Sequence, residues 1–431
     1  MTVLHIATTL DGGAGIGLRR YHETMLAAGL DARVIVGSSS IGTDSRVAVS
    51  TRTPASLLWR LARRAGIQLD PAAKMRAAVK RLDAGAGRQA SYELFSPPFS
   101  ACAPEEHPWV QEADVVNLHW VAETVDWPRF LRKIRKPMIF TLHDQQPYLG
   151  GLHYAMDLEN NPWLKEVEAR ARAIKLSALN GRPVTVIGNS EWNMREAEAS
   201  GFFPAGSRFH TVYYPLDTNV YAPRPKDAAR AALGIESGRA VIGFACDDLN
   251  NRRKGFDILL VALQSLPAAV ASRTCLLSFG REPAQQVRDR VPSPWFHLGC
   301  LQADAVKVAT YSAMDVFVIP SRAEAFGQTA IEALACGTAV VGSNVGGISE
   351  ALDHGRCGLL CSPDQPESLA TELAELLTNA ELRVEIASRG RAHVQTRHSP
   401  EGCARTYLKA CRELLACHTA SSEDATVRKN T

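Results

Sequence analysis

Two glutamates, Glu324 and Glu332, are the first residues of this 431-residue chain whose type and spacing could do chemistry. They flank Phe326-Gly327-Gln328 in the stretch DVFVIPSRAEAFGQTAIEALACG. Its pattern predicts a strand ending at Pro320, a loop carrying Glu324, and a helix that starts near Gln328 and stops at Gly337. The N–H groups at a helix start, on the carboxyl edge of a parallel sheet, attract anions. A glutamate one turn into that helix can accept both hydroxyl protons of a ribose. The loop glutamate then faces whatever is joined to the phosphate. A second glycine-rich segment, Gly12-Gly13-Ala14-Gly15-Ile16-Gly17, invites a dinucleotide reading but fails the G-x-G-x-x-G spacing in both registers, because Ala14 and Leu18 stand where glycines are needed. The following strand runs into Gly37-Ser38-Ser39-Ser40 without an acidic ribose ligand, which disfavours a nicotinamide dehydrogenase. Two readings of this segment stay open, a loop whose amides approach a phosphate and a plain tight turn.

The elements that must position these residues alternate between short apolar runs and helical patterns. Runs at 3–8, 32–37, 114–119, 137–143 and 183–189 predict strands of one α/β domain, and continuous apolar runs of this kind imply a parallel sheet covered on both faces. The proline-rich crossing YYPLDTNVYAPRP breaks the series, which resumes with strands at 240–246, 273–279, 295–298, 315–320, 338–342 and 358–361. Two doubly wound units are therefore expected, 1–215 and 216–400, each with a Rossmann-like sheet. Ser399-Pro400-Glu401 reads as an N-cap opening a helix over 401–418, expected to pack back on the first unit, with a fraying polar tail.

Composition narrows the function classes. The hydrophobic fraction of 46%, the charged fraction of 22% and the net charge of +3 describe an ordinary globular protein and do not give the field of a nucleic-acid binder. Ten cysteines include no C-x-x-C pair. With no basic n-region at the N-terminus and no run of 18 apolar residues, the expectation is a cytoplasmic protein with reduced thiols. From Thr51 to Ser91 stand nine basic and two acidic residues, with an apolar patch at Leu57, Leu58, Trp59 and Leu61. This basic amphipathic insertion reads either as a solvated helical segment packed on the first unit or as a peripheral contact with a membrane surface or anionic acceptor.

The stretch EAFGQTAIEALACGTAVVGSNVGGISEAL resembles the signature of glycosyltransferase family 4, retaining enzymes of the GT-B fold that use nucleotide-sugar donors. The segments GGAGIG, DVVNLHW, TLHD, GNSEW, RRKGFDILLVAL and HLGCL fall in family order, so the resemblance covers nearly the whole chain. NLHW and TLHDQQPYLGGLHY are most similar to the exopolysaccharide branch, of the colanic-acid type. The resemblance implies two Rossmann-like domains facing a cleft, the first on the acceptor side and the second holding the donor. It implies transfer of a sugar to a saccharide, a lipid-linked acceptor or another hydroxyl, in polysaccharide or glycoconjugate biosynthesis.

Carried over by position, it assigns Lys254 and a neighbouring arginine to the donor diphosphate, and the backbone amides of Phe326, Gly327 and Gln328 to the same group. Glu332 would bind the ribose, Leu301 would lie against the base, Glu324 would hold the sugar hydroxyls, and Gly13 of the opening loop would approach the donor. His119 matches the histidine that lies over the donor sugar where the new bond forms. His143 beside Asp144 reads as a structural pair rather than a general base, and Trp120 as a packing residue. No Asp-x-Asp pair occurs, so no metal cofactor is expected, with Lys254, an arginine and the helix start meeting the developing charge instead. Two departures stand out: Asp248 occupies a position six before the lysine where the family usually carries arginine, leaving Arg253 or Arg252 as the second cation, and Leu152 stands where this branch often has a cysteine. The alternatives are a nucleotide-sugar epimerase or hydrolase on the same fold, and a non-catalytic nucleotide-sugar sensor.

Overall fold

The computed structural model of the protein describes residues 1–37, 44–53, 69–87, 91–283 and 285–427. These form two compact units, Met1–Tyr213 together with Cys403–Thr431, and Tyr214–Gly402. In the first unit the strands are β1 (Thr2–Ala7), β2 (Asp31–Val36), β3 (Val47–Val49), β4 (Val115–Leu118), β5 (Met138–Leu142), β6 (Thr185–Gly188) and β7 (Arg208–Thr211). They lie in the order β3-β2-β1-β4-β5-β6-β7, and their pairings are parallel. In the second unit β8 (Ala240–Asp248), β9 (Thr274–Arg281), β10 (Trp295–His297), β11 (Val316–Ile319), β12 (Ala339–Ser343) and β13 (Leu359–Cys361) lie in the order β10-β9-β8-β11-β12-β13, again parallel. Each is an α/β doubly wound sheet in which the chain order reverses, between β1 and β4 in one and between β8 and β11 in the other. Loops after the strands beside such a reversal diverge and leave room for a ligand.

The continuous apolar runs produce the expected buried strands, every residue of β4, β5, β11 and β12 being buried. The core of the first unit gathers Leu4, Val116, Trp127, Phe130 and Phe140, that of the second Ile242, Phe244, Leu259, Val318 and Leu373. Strands β3 and β7 escaped the sequence reading. Both are edge strands with partly exposed residues, and Arg208-Phe209-His210-Thr211 carries no apolar run to mark it. The Gly12–Gly17 segment is not a loop. It forms the first turns of the helix Gly12–Ala27, and Gly15 is required there because a Cβ would lie 2.2 Å from the Leu10 carbonyl carbon. The last helix runs over Pro400–Val427, farther than 401–418. Its Tyr407 is fully buried and accepts a hydrogen bond from Asn117 Nδ2 at 2.7 Å in β4. Of the basic 51–91 insertion, residues 54–68, which hold the Leu57-Leu58-Trp59-Leu61 patch, and 88–90 lie outside the described residues. Its described part includes the helix Pro71–Gly85, capped by Asp70. Among the described residues no helix is long and apolar enough to cross a membrane.

Candidate functional site

In the second unit the site is built from the loops after β8 and β11. Beyond β8, Asn251 caps a single helical turn, Arg252–Lys254, by accepting from the Arg253 N–H at 3.0 Å. Gly255 ends the turn at φ +73°, and a Cβ there would lie 1.9 Å from the Pro320 carbonyl oxygen. Only glycine lets this turn close onto the end of β11. The second loop is held the same way, since a Cβ on Gly347 would lie 2.3 Å from the Ala325 carbonyl oxygen, and the Gly347 N–H donates to the Glu324 carbonyl at 3.0 Å. The close approach sets Lys254 Nζ 2.5 Å and Arg253 Nη1 3.5 Å from Glu324 Oε2. Burial alone would raise the Glu324 carboxyl, but the two cations outweigh it and hold it below its ordinary value. Arg253 also donates to the Ala323 carbonyl at 3.0 Å, whereas Arg252 is exposed. The arginine grouped with Lys254 is therefore Arg253.

The helix Gln328–Ala335 starts directly after Gly327, which takes φ +100°. Phe326 is 1% exposed, edge-on to Tyr214 at 5.7 Å and near His398 at 5.3 Å, so the backbone from Ala325 to Gln328 is fixed from behind. Glu332 follows one turn later and is 5% exposed, its Oε2 accepting from the Tyr311 hydroxyl at 2.8 Å. Leu301 stands apart in sequence from this group, after β10, the edge strand two places from β8. Among the described residues no three His, Cys, Asp or Glu side chains are grouped to hold a metal ion.

Sequence reasoning missed Arg322. Its backbone N–H donates to the Arg253 carbonyl at 2.8 Å, and its guanidinium grips Asp257 at 2.8 and 2.9 Å, Asp364 at 2.9 Å and the Arg252 carbonyl at 2.6 Å. It ties the Lys254 turn to the Glu324 loop. An arginine between Ser321 and Ala323 looks in sequence like any surface cation; only its partners, distant in the chain, reveal the clamp. Asp248 pairs with Arg281 at 3.3 Å across the ends of β8 and β9.

In the first unit His119 follows β4 and is 1% exposed. Both ring nitrogens are engaged: Nε2 lies 2.9 Å from His5 Nδ1, and Nδ1 lies 2.9 Å from His143 Nε2. Burial first, then the neighbouring imidazoles, push His119 well below the ordinary histidine value. Burial likewise takes His5 down to about 3 and His143 to about 4, so the chain of rings is neutral near pH 7. Asp144 acts electrostatically on His143, as the expected pairing requires, but the Nε2 hydrogen bond of His143 goes to His119. Asp144 instead meets His153 Nδ1 at 2.7 Å, Trp120 Nε1 at 2.9 Å and the Gln146 N–H at 3.0 Å, so Trp120 is bonded as well as packed. Gly13 is exposed in the first turn of its helix.

The sequence profile described as Glycosyl transferases group 1 matches residues 239–379. A D-inositol 3-phosphate glycosyltransferase of Jonesia denitrificans is 30% identical over 308 residues, covering 65% of this chain and 68% of that protein. One from Rhodococcus erythropolis is 28% identical over 223 residues, covering 47% of this chain and 49% of that protein. The chain spans about half the length of several such curated relatives. Among solved structures, Anabaena HepE in complex with UDP and glucose superposes with a TM-score of 0.68 at 19% identity, covering 96% of this chain and all of that one. Sucrose-phosphate synthase from Thermosynechococcus elongatus gives 0.70 at 19% identity, covering 97% of this chain. At such identities the likeness is one of fold, two parallel-sheet Rossmann-like domains of the GT-B kind.

Proposed function

This chain belongs to the group 1 glycosyl transferases, and from that premise we propose that it moves a sugar from a nucleotide-diphosphate donor to a hydroxyl acceptor with retention at the anomeric carbon and without a metal. The observation that carries the reading is the convergence of Lys254, Arg253 and Glu324 beside the start of the helix that holds Glu332. In this reading the diphosphate rests against Lys254, Arg253 and the amides of Phe326, Gly327 and Gln328. Glu332 takes the ribose, Leu301 the base and Glu324 the sugar hydroxyls. Charge grows on the diphosphate as the glycosidic bond breaks, and fixed cations and helix amides meet it without reorganising. The departing phosphate takes the acceptor proton on the same face of the sugar, so no carboxylate nucleophile is needed. The family resemblance assigns His119 to the donor sugar and Gly13 to the donor. The NLHW and TLHDQQPYLGGLHY segments support a saccharide or lipid-linked acceptor of the exopolysaccharide kind, while the names of the curated relatives support a phosphorylated polyol. The basic 51–91 insertion suits a peripheral membrane contact.

The test is turnover of a panel of nucleotide sugars with and without both acceptor classes, in the presence of a chelator. Acceptor-dependent release of nucleoside diphosphate, with the donor's anomeric configuration kept in the product, supports the proposal. Release without acceptor would make the protein a hydrolase, and binding without turnover a sensor.

A further inference from the structure

Tyr311 has no assigned role, yet it is the side chain whose hydroxyl meets the Glu332 carboxylate, at 2.8 Å. It is fully buried on the helix Asp304–Ala313. Phe279 and Phe317 stand edge-on to its ring at 5.4 and 5.5 Å, and its carbonyl accepts from Thr338 Oγ1 at 2.7 Å. Ring and backbone are thus held from three sides, leaving the hydroxyl a narrow range of directions. Glu332 is itself 5% exposed. A buried carboxylate is costly without donors, and a fixed O–H donor sets the plane of the carboxylate as well as its charge. Recognition of a cis-diol needs that plane fixed, because both hydroxyls must meet the same carboxylate at once.

The geometry points to Tyr311 as a positioning residue that aligns Glu332 for a vicinal diol, making the protein selective for ribonucleotide over deoxyribonucleotide donors. The inference rests on the assignment of Glu332 to the ribose. Burial drives the phenol well above its ordinary value, so it stays a donor through the physiological range. Tyr311→Phe keeps the ring packing and removes the hydroxyl alone.

Calorimetry with UDP, GDP and ADP and their 2′,3′-dideoxy counterparts tests it. The expected result is a loss of roughly tenfold in affinity for the preferred ribonucleotide, the effect of one charge-assisted hydrogen bond, with dideoxy binding changed by less than about twofold. The Michaelis constant for the donor should rise by a similar factor while kcat holds. In a Tyr311→Phe/Glu332→Gln double variant the two effects should not add. Discrimination in the unaltered protein that survives Tyr311→Phe, or equal losses on both ligands, would overturn the proposal alone. An unaltered protein that binds ribo and dideoxy ligands equally would overturn it together with the ribose assignment. Thermal melting of the variant separates either outcome from a failure to fold.

Discussion

His119 and Glu324 occupy corresponding places. Each lies beyond the first strand past the reversal of its sheet, β4 in one unit and β11 in the other. Their surroundings are opposite. His119 is enclosed by neutral imidazoles and has no exposed ring nitrogen to offer without leaving a partner, whereas Glu324 is ionised and answered by two cations, its side chain 12% exposed. The same topology therefore supports two electrostatic regimes. An imidazole can enter the interior by giving up its proton and meeting other rings, while a carboxylate enters only with counter-charges close by. The first unit uses its polar residues at this position to knit strands β1, β4 and β5; the second keeps charge where an anion can be met.

Lys254→Ala should strike hardest, lowering turnover by about 10²-fold or more while weakening nucleoside diphosphate binding less, because the lysine meets charge that grows in the transition state. Its effect on stability should stay within about 1 kcal/mol, since Glu324 keeps Arg253 and partial solvent access. Activity that survives the change, or that magnesium restores, would break the contrast between the units.

His119→Ala should lower turnover as well and, unlike the lysine change, cost about 2–4 kcal/mol of stability, since it removes a partner of His5 Nδ1 and of His143 Nε2 in the interior. Urea denaturation checks it. A variant with lost stability but undiminished turnover in the folded fraction would take His119 off the substrate and leave it a structural residue.

The same rings predict the pH response of the first unit. Their folded-state values lie below the unfolded 6.5, at about 3 for His5 and about 4 for His143, so the unfolded chain binds protons first. Stability is fully present above about pH 6.5 and should fall as pH drops toward 4. The melting temperature of His143→Gln, which cannot take up that proton, should depend less steeply on pH across this window; an equally steep profile would show that other groups control it.

Arg322→Ala should have a smaller effect, raising the donor Michaelis constant several-fold and costing about 1–2 kcal/mol through loss of the Asp257 pairing that ties two loops together. An unchanged Michaelis constant would reduce the clamp to a surface ion pair. Smallest of all, Asp248→Asn should shift stability by less than about 0.5 kcal/mol, as expected for its exposed pair with Arg281.

What was legible in the sequence was whatever depends on near neighbours. The buried strands announce themselves as apolar runs, and the helix start after Gly327 and its stop at Gly337 follow from local backbone chemistry. The edge strand β7 carries no such run, and β3 offers only the three residues Val47-Ala48-Val49, too short a run to mark a strand. The Gly12–Gly17 segment read as a loop because glycine is a poor helix former, yet contact with the Leu10 backbone makes it the start of a helix.

By itself, then, the sequence determined the alternation of elements, the two parallel sheets, His119 at a strand end, and Glu324 and Glu332 in the loop and helix that follow another strand, all consequences of periodicity and turn chemistry, while Lys254 came from the family resemblance. Tertiary structure alone decided the partners: Arg253 rather than Arg252 beside Lys254, Arg322 as the clamp, Tyr311 on Glu332, and His5 and His143 on His119. The physical reason is distance along the chain. His5 and His119 are brought within 2.9 Å only because β1 and β4 pair across the sheet, and no local preference at either residue encodes that neighbour.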